Sequence, residues 1–166
     1  MVVVQAIPKG DRGELAVEVL TEVGATEIVP WSASRSVAVW KGERATKSLA
    51  RWRSTAREAA KQARRAWFPQ VAEVASTADV TALLAAADLA VVLHEEASVP
   101  LASVEVPNAG RIIVVVGPEG GLAPEEIDAF VAAGAVSVRL GAEVLRTSTA
   151  GVAAVAALLS RTSRWG

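Results

Sequence analysis

The chain has no cysteine, no tyrosine and a single histidine, His94, among its 166 residues. Without cysteine there is no disulfide, no thiolate nucleophile and no Cys-ligated metal. One histidine leaves little room for a metal cluster within one chain, so no metal is expected. No apolar run reaches the ~18 residues that a membrane-spanning helix needs. The opening MVVVQAIPKGDRG also lacks the basic start and long apolar stretch of a secretion signal. The expectation is a cytoplasmic protein with no membrane association.

Alanine and valine dominate instead, and apolar residues make up 52 % of the chain. That excludes a wholly disordered chain, and the length suits one domain with a real core. The net charge of −1 hides an asymmetry. Between Lys41 and Arg65 nine basic residues face two acids, whereas the rest of the chain carries eight basic residues and sixteen acids. A charge run of this kind is either a solvated helix face or a contact for phosphates. The excess of positive charge favours phosphates, through Arg57, Lys61, Arg64 and Arg65.

Short β-branched runs alternate with helical patterns. VVVQAI, TEIVPW, QVAEVA, LAVVLHE, RIIVVV and VSVRLG read as strands, and SVAVW (36–40) as a further candidate. Helical spacing follows PKGD, runs from Glu43 to Trp67, and recurs in TADVTALLAAA, PEEIDAF and TSTAGVAAVAALLSRT. On the longest helix Leu49, Trp52, Ala56, Ala59, Ala60, Ala63 and Trp67 share one stripe, which makes Trp52 and Trp67 core anchors. Thr77 or Asp79 lies near the cap of the next helix. The final RTSRWG reads as a frayed tail. Strand and helix in alternation predict an α/β fold, a mostly parallel sheet with helices on both faces.

In such sheets ligands bind beyond the carboxyl ends of the strands. Three strands here end in unusual sequence: VVLHEE, VVVGPEGG and VRLGAEVLRTSTAG. If these strands are neighbours, their ends form one crevice. Gly117, Gly120 and Gly121 let backbone amides approach a ligand without Cβ clashes. The bend lacks the Lys-Ser/Thr of a phosphate loop, and Glu119 repels phosphate, so a neutral or cationic nucleoside fits better than a triphosphate. A tight strand-to-helix turn with no ligand is the alternative reading. Arg146 needs an acceptor or a ligand if it lies inside the crevice; a salt bridge to Glu119 or Glu143 is the other possibility. Ser148 or Thr149 serves equally well as a helix cap, and His94 would sit at the crevice rim.

The combination IPKGDRGELAVEVLTEVGATEIVPWSASRS, REAAKQARRAWFP, VVVGPEGGLAPEE and LGAEVLRTSTA resembles the SPOUT-class 16S ribosomal RNA methyltransferases of the RsmE type. The motifs recur in order from about Ala6 to Leu159. The resemblance implies a SPOUT α/β fold with a C-terminal trefoil knot and methylation of uridine N3 from S-adenosyl-L-methionine. It implies a homodimer whose partner completes each site, acting on 16S rRNA of the small ribosomal subunit. Carried over residue by residue, the cofactor would contact Leu93, His94 and Glu95, then Gly117, Pro118, Glu119, Gly120 and Gly121. Leu140, Gly141, Leu145, Thr147, Ser148 and Thr149 would complete its site.

Arg146 becomes the candidate catalytic cation, stabilising the uridinate that forms as N3 loses its proton. Where the family carries LR-T-E-T-A, this sequence has Ser148 in place of the glutamate. The methyltransferase domain is expected over 1–160, with 161–166 as a tail and the family's N-terminal PUA-like RNA-binding barrel absent. Two other readings remain at this point: an inactive cofactor-binding, dimerisation or RNA-binding domain, and a knotted transfer-RNA methyltransferase.

Overall fold

The structure is a computed structural model that describes residues 1–165. Seven strands form one sheet in the spatial order β3-β2-β1-β6-β4-β7-β5. They are β1 (Val2–Ala6), β2 (Glu27–Trp31), β3 (Gln70–Val71), β4 (Leu89–Leu93), β5 (Val99–Pro100), β6 (Ile112–Val116) and β7 (Val136–Arg139). Every pairing is parallel. The connections carry helices α1 (Arg12–Val23), α2 (Gly42–Gln62), α3 (Thr77–Ala85) and α4 (Pro124–Ala132), and α5 (Thr147–Leu159) follows the last strand.

Alternation along the central strands divides the core into two layers. Val3, Val114 and Val116 face one cluster with Val17, Leu20, Trp52, Val155 and Leu158, which places α1, α2 and α5 on that side. Val2, Val4, Ile113 and Val115 face the other cluster with Trp31, Val80, Leu84 and Phe130, which places α3 and α4 there. The strands β1 and β6 are buried at every position, as a central parallel strand covered on both faces must be.

Three expectations fail here. Residues 36–40 form no strand: the outer edge of β2 is already taken by β3, and Val37 and Val39 point to solvent while Trp40 packs edge-on against Trp52 at 5.0 Å. The long helix stops at Gln62, not Trp67. Arg64 takes the left-handed conformation (φ 52°), which lets the Arg65 guanidinium reach the carbonyls of Thr21 and Ala25 at 2.9 and 2.7 Å. Trp67 is thereby thrown off the apolar stripe and is 82 % exposed, whereas Trp52 is buried. In the tail, Arg161 donates to the carbonyls of Leu101 and Val104. Gly166 lies outside the described residues.

The start of α3 is a reciprocal cap. The Asp79 N–H donates to Ser76 Oγ, while Asp79 Oδ2 accepts from the Ser76 hydroxyl at 2.7 Å and from its N–H at 2.9 Å. The hydroxyl first, and the backbone bond second, hold the Asp79 carboxyl below its ordinary value. A depressed carboxyl stabilises the fold above its unfolded pKa, and that contribution is lost as pH falls through the folded value. Ser76→Ala should raise the Asp79 pKa toward the ordinary range, read by NMR titration of the carboxyl carbon.

Candidate functional site

The strand order brings β6, β4 and β7 together, so the three unusual strand ends meet. Beyond them opens a cleft of about 570 Å³. The end of β4 contributes Leu93, His94 and Glu95, and the β6–α4 turn contributes Gly117, Pro118, Glu119 and Gly121. The segment after β7 contributes Leu140, Gly141, Leu145, Arg146 and Thr147. The His94 N–H donates to the Val138 carbonyl at 2.9 Å, which pins this loop to β7.

Gly120, Ser148 and Thr149 do not line the cleft. Gly120 is small for a different reason: a Cβ there would sit 2.9 Å from the Arg35 carbonyl oxygen, on the outer side of the turn. Arg35 also donates from Nη1 to the Leu122 carbonyl at 3.1 Å, so this residue braces the turn from behind. Gly121 adopts φ +72°, the left-handed conformation that tightens the bend. Ser148 is buried on the first turn of α5, with no partner for its Oγ among the described residues. Thr149 is exposed, and its hydroxyl bonds back to the Arg146 carbonyl at 3.3 Å.

Arg146 occupies the cap position of α5 in extended conformation, and its carbonyl accepts the Thr149 and Ala150 N–H groups at 2.9 Å. Its side chain is exposed at the cleft and is ion-paired to neither Glu119 nor Glu143. The cleft also holds Arg12, Arg139 and Glu143, so three arginines and three glutamates (Glu95, Glu119, Glu143) surround it. None of the six is in an ion pair among the described residues. A ligand that carries both signs of charge suits such a site.

A family model for the RNA methyltransferase domain matches residues 1–159. The chain belongs to this RNA methyltransferase domain family. It is 50 % identical over 167 aligned residues to the ribosomal RNA small subunit methyltransferase E of Mycobacterium bovis, covering 98 % of this chain and 64 % of that protein. The protein of the same name from Bacillus subtilis is 34 % identical over 96 % of this chain and 65 % of its own length. A crystal structure of ribosomal RNA small subunit methyltransferase E from Neisseria gonorrhoeae, bound to S-adenosyl methionine, superposes with a TM-score of 0.86. It is 30 % identical over 97 % of this chain and 65 % of that one. The chain thus spans just under two thirds of the length of these relatives.

Within this methyltransferase domain, sequence reasoning missed Arg12, Arg139 and Gln5. Arg12 stands in the PKGDR motif, which the crevice reading leaves unmarked, and Arg139 lies inside the strand end VRLGAEVLRTSTAG without being singled out there. Gln5 was visible as the one polar residue in VVVQAI. Fully buried, it donates from Nε2 to the Thr147 carbonyl at 3.2 Å and the Ala6 carbonyl at 3.1 Å, which ties β1 to the cleft end of α5.

The four residues expected on RNA stand differently from one another. Arg57 lies 5.2 Å from the centre of the Phe68 ring. Lys61 pairs with Glu58 at 2.7 Å, both exposed. Arg64 is exposed at the left-handed turn. Arg65 is the correction: its guanidinium is occupied by the two carbonyls at the end of α1, and burial, with Arg164 nearby, lowers its pKa. This end of α2 packs beside Ala25, ahead of β2, at the rim of the sheet opposite the cleft.

Proposed function

We propose that this domain binds S-adenosyl-L-methionine in the cleft and methylates N3 of a uridine in 16S rRNA of the small ribosomal subunit. The observation that carries the reading is the unpaired, mixed-charge cleft at the ends of β4, β6 and β7, in a chain of the RNA methyltransferase domain family. The cofactor has a carboxylate, an ammonium and a sulfonium, which matches a site with unpaired arginines and glutamates. Gly117 and Gly121 of the glycine turn line the cleft, and Leu122 packs so close behind Gly117 that a Cβ there would meet it at 3.0 Å. When bound, the cofactor supplies an electrophilic methyl group on a positively charged sulfur.

The chain's own residues do the rest. Leu93, His94, Glu95, the 117–121 turn and the 140–147 segment hold and orient the cofactor, with the Gln5 amide fixing the last of these. Arg146 places a cation where negative charge develops on the uracil oxygens as N3 loses its proton. Arg57, Lys61 and Arg64 contact RNA phosphates away from the reacting base. The trefoil knot would involve β4, β6 and β7, a reading supported by their adjacency. Val144 (75 % exposed) and Leu145 (42 % exposed) form an apolar lip at the cleft, which supports closure of the site by the partner of a homodimer. We read residues 1–160 as the methyltransferase domain, and a ribosomal substrate supports a cytoplasmic location.

Calorimetry with S-adenosylmethionine and, separately, ATP tests the cofactor, and methyl incorporation into unmodified small ribosomal subunits tests the reaction. Saturable, stoichiometric binding of S-adenosylmethionine with ATP silent is expected. A folded chain that binds neither overturns the cofactor reading. Paired reversal of Arg57 and Arg64 to glutamate should weaken RNA binding and flatten its salt dependence.

A further inference from the structure

A second cavity, wide open to solvent, adjoins the cleft and is lined by Lys9, Gly10, Asp11, Arg12, Leu15 and Glu119. Arg12 and Glu119 also line the first cleft, so the two spaces share a wall. We propose that this second cavity seats the ribose and phosphate of the nucleotide presented to the cofactor, with Lys9 and Arg12 binding its phosphate oxygens. The proposal rests on the methyltransferase reading and extends it to Lys9, Gly10, Asp11 and Leu15, which lie outside the cofactor cleft.

Geometry supports this seat in three ways. The partition between the cavities is fixed by main chain: the Lys9 N–H donates to Glu119 Oε1 at 3.1 Å, which joins the loop after β1 to the glycine turn after β6. These loops are neighbours because β1 and β6 pair side by side. Because that bond uses the backbone of Lys9, its ammonium is left over, exposed and without an ion pair among the described residues.

Arg12 and Leu15 then stand three residues apart on the first turn of α1, hence on one face. Leu15 is 42 % exposed. A cation beside an exposed apolar side chain matches a nucleotide, which offers charge on its phosphate and an apolar face on its sugar and base. Two acids, Asp11 and Glu119, also line this space; Glu119 is turned to the Lys9 N–H, and the cations of Lys9 and Arg12 balance the two carboxylates. Because Arg12 lines both spaces, a nucleotide seated here lies beside the cofactor cleft. Glu119 is on this view a positioning residue that holds the two loops in register.

Lys9→Glu and Lys9→Arg test the assignment, because substitution at this side chain spares the main-chain bond to Glu119. Three readouts are made on each: the Kd for S-adenosylmethionine by calorimetry, the KM for unmodified small subunits, and the Kd for single-stranded oligouridylate as a function of salt. For Lys9→Glu the expected result is cofactor affinity within about twofold of the parent, a KM raised at least about tenfold, and a salt slope reduced by about one ion. Lys9→Arg should restore the KM. An unchanged KM and unchanged oligouridylate binding in Lys9→Glu overturn the seat, as does a cofactor Kd that shifts in step with KM. If the parent chain transfers no methyl group, the functional reading fails; the oligouridylate titration still decides the seat, since equal binding by parent and Lys9→Glu overturns it. Preferential binding of an acidic peptide over oligouridylate would also overturn it.

Discussion

Glu126→Ala should lower the stability of the domain by about 2 kcal/mol, the cost of stranding one buried donor and of losing the bonds of two partly exposed donors to a charged acceptor. Glu126 is a carboxylate in the interior, 4 % exposed. One oxygen accepts the Ser34 N–H at 2.8 Å and the Thr77 hydroxyl at 3.3 Å, and the other accepts the Ala123 N–H at 3.1 Å. Thr77 in turn accepts from the Trp31 indole at 3.3 Å. A single side chain therefore joins the start of α4, the loop after β2, the start of α3 and the end of β2. Truncation leaves the N–H of buried Ala123 without an acceptor, whereas the N–H of Ser34, an exposed residue, can turn to water. Glu126→Gln keeps one carbonyl but turns an NH2 group toward a donor, so it should recover only part of the loss. Urea unfolding reads the effect as a lower midpoint at unchanged slope. A midpoint shift worth less than ~0.5 kcal/mol, the range of an ordinary surface substitution, would show that the network carries no weight.

Gly120→Ala should weaken S-adenosylmethionine binding at least tenfold, or about 1.4 kcal/mol, although Gly120 does not face the cleft. The added methyl would lie 2.9 Å from the Arg35 carbonyl oxygen and 3.2 Å from the Arg35 Cβ. The obstacle is main chain, so it gives way less easily than the end of a side chain. The same Arg35 holds the Leu122 carbonyl through its guanidinium. Relief of the clash must therefore move either the 33–36 loop or the glycine turn, and the turn supplies four of the residues that line the cleft. Far-UV circular dichroism should stay unchanged while calorimetric affinity falls. Arg35→Ala, which loses the guanidinium bond but keeps the space, should have the smaller effect. Parental affinity in Gly120→Ala would mean that the brace does not set the shape of the turn.

The sheet and its two helical layers were legible because their signals are local. A five-residue strand buried on both faces, such as Ile112–Val116, needs an unbroken apolar run. The stripe through Leu49, Trp52, Ala56 and Ala60 repeats at helical spacing for the same reason. The crevice followed from one further rule, that ligands bind at the carboxyl ends of parallel strands. What failed was decided by partners distant in sequence. Residues 36–40 carry the alternation of a strand, but the edge they would need is filled by β3. Trp67 continues the stripe of α2 on paper, yet the turn at Arg64 ends the helix before reaching it.

The glycine turn shows the same division inside the site. Its glycines could be read together as room for a ligand. Gly121 is instead required by its left-handed φ, Gly120 by the Arg35 carbonyl and Gly117 by Leu122. Arg65 looked like one more phosphate contact in a basic run, and the carbonyls of Thr21 and Ala25 claim it.

By itself, then, the sequence determined the alternating α/β architecture, the strand ends that border the cleft and the motif order of the family, all of which follow from periodicity and local composition. Only the tertiary structure decided which glycine faces the cleft, which arginine is free, and that Lys9 and Arg12 stand beside Glu119. Those outcomes depend on strand order, because β1, β6, β4 and β7 are neighbours in the sheet but widely separated along the chain.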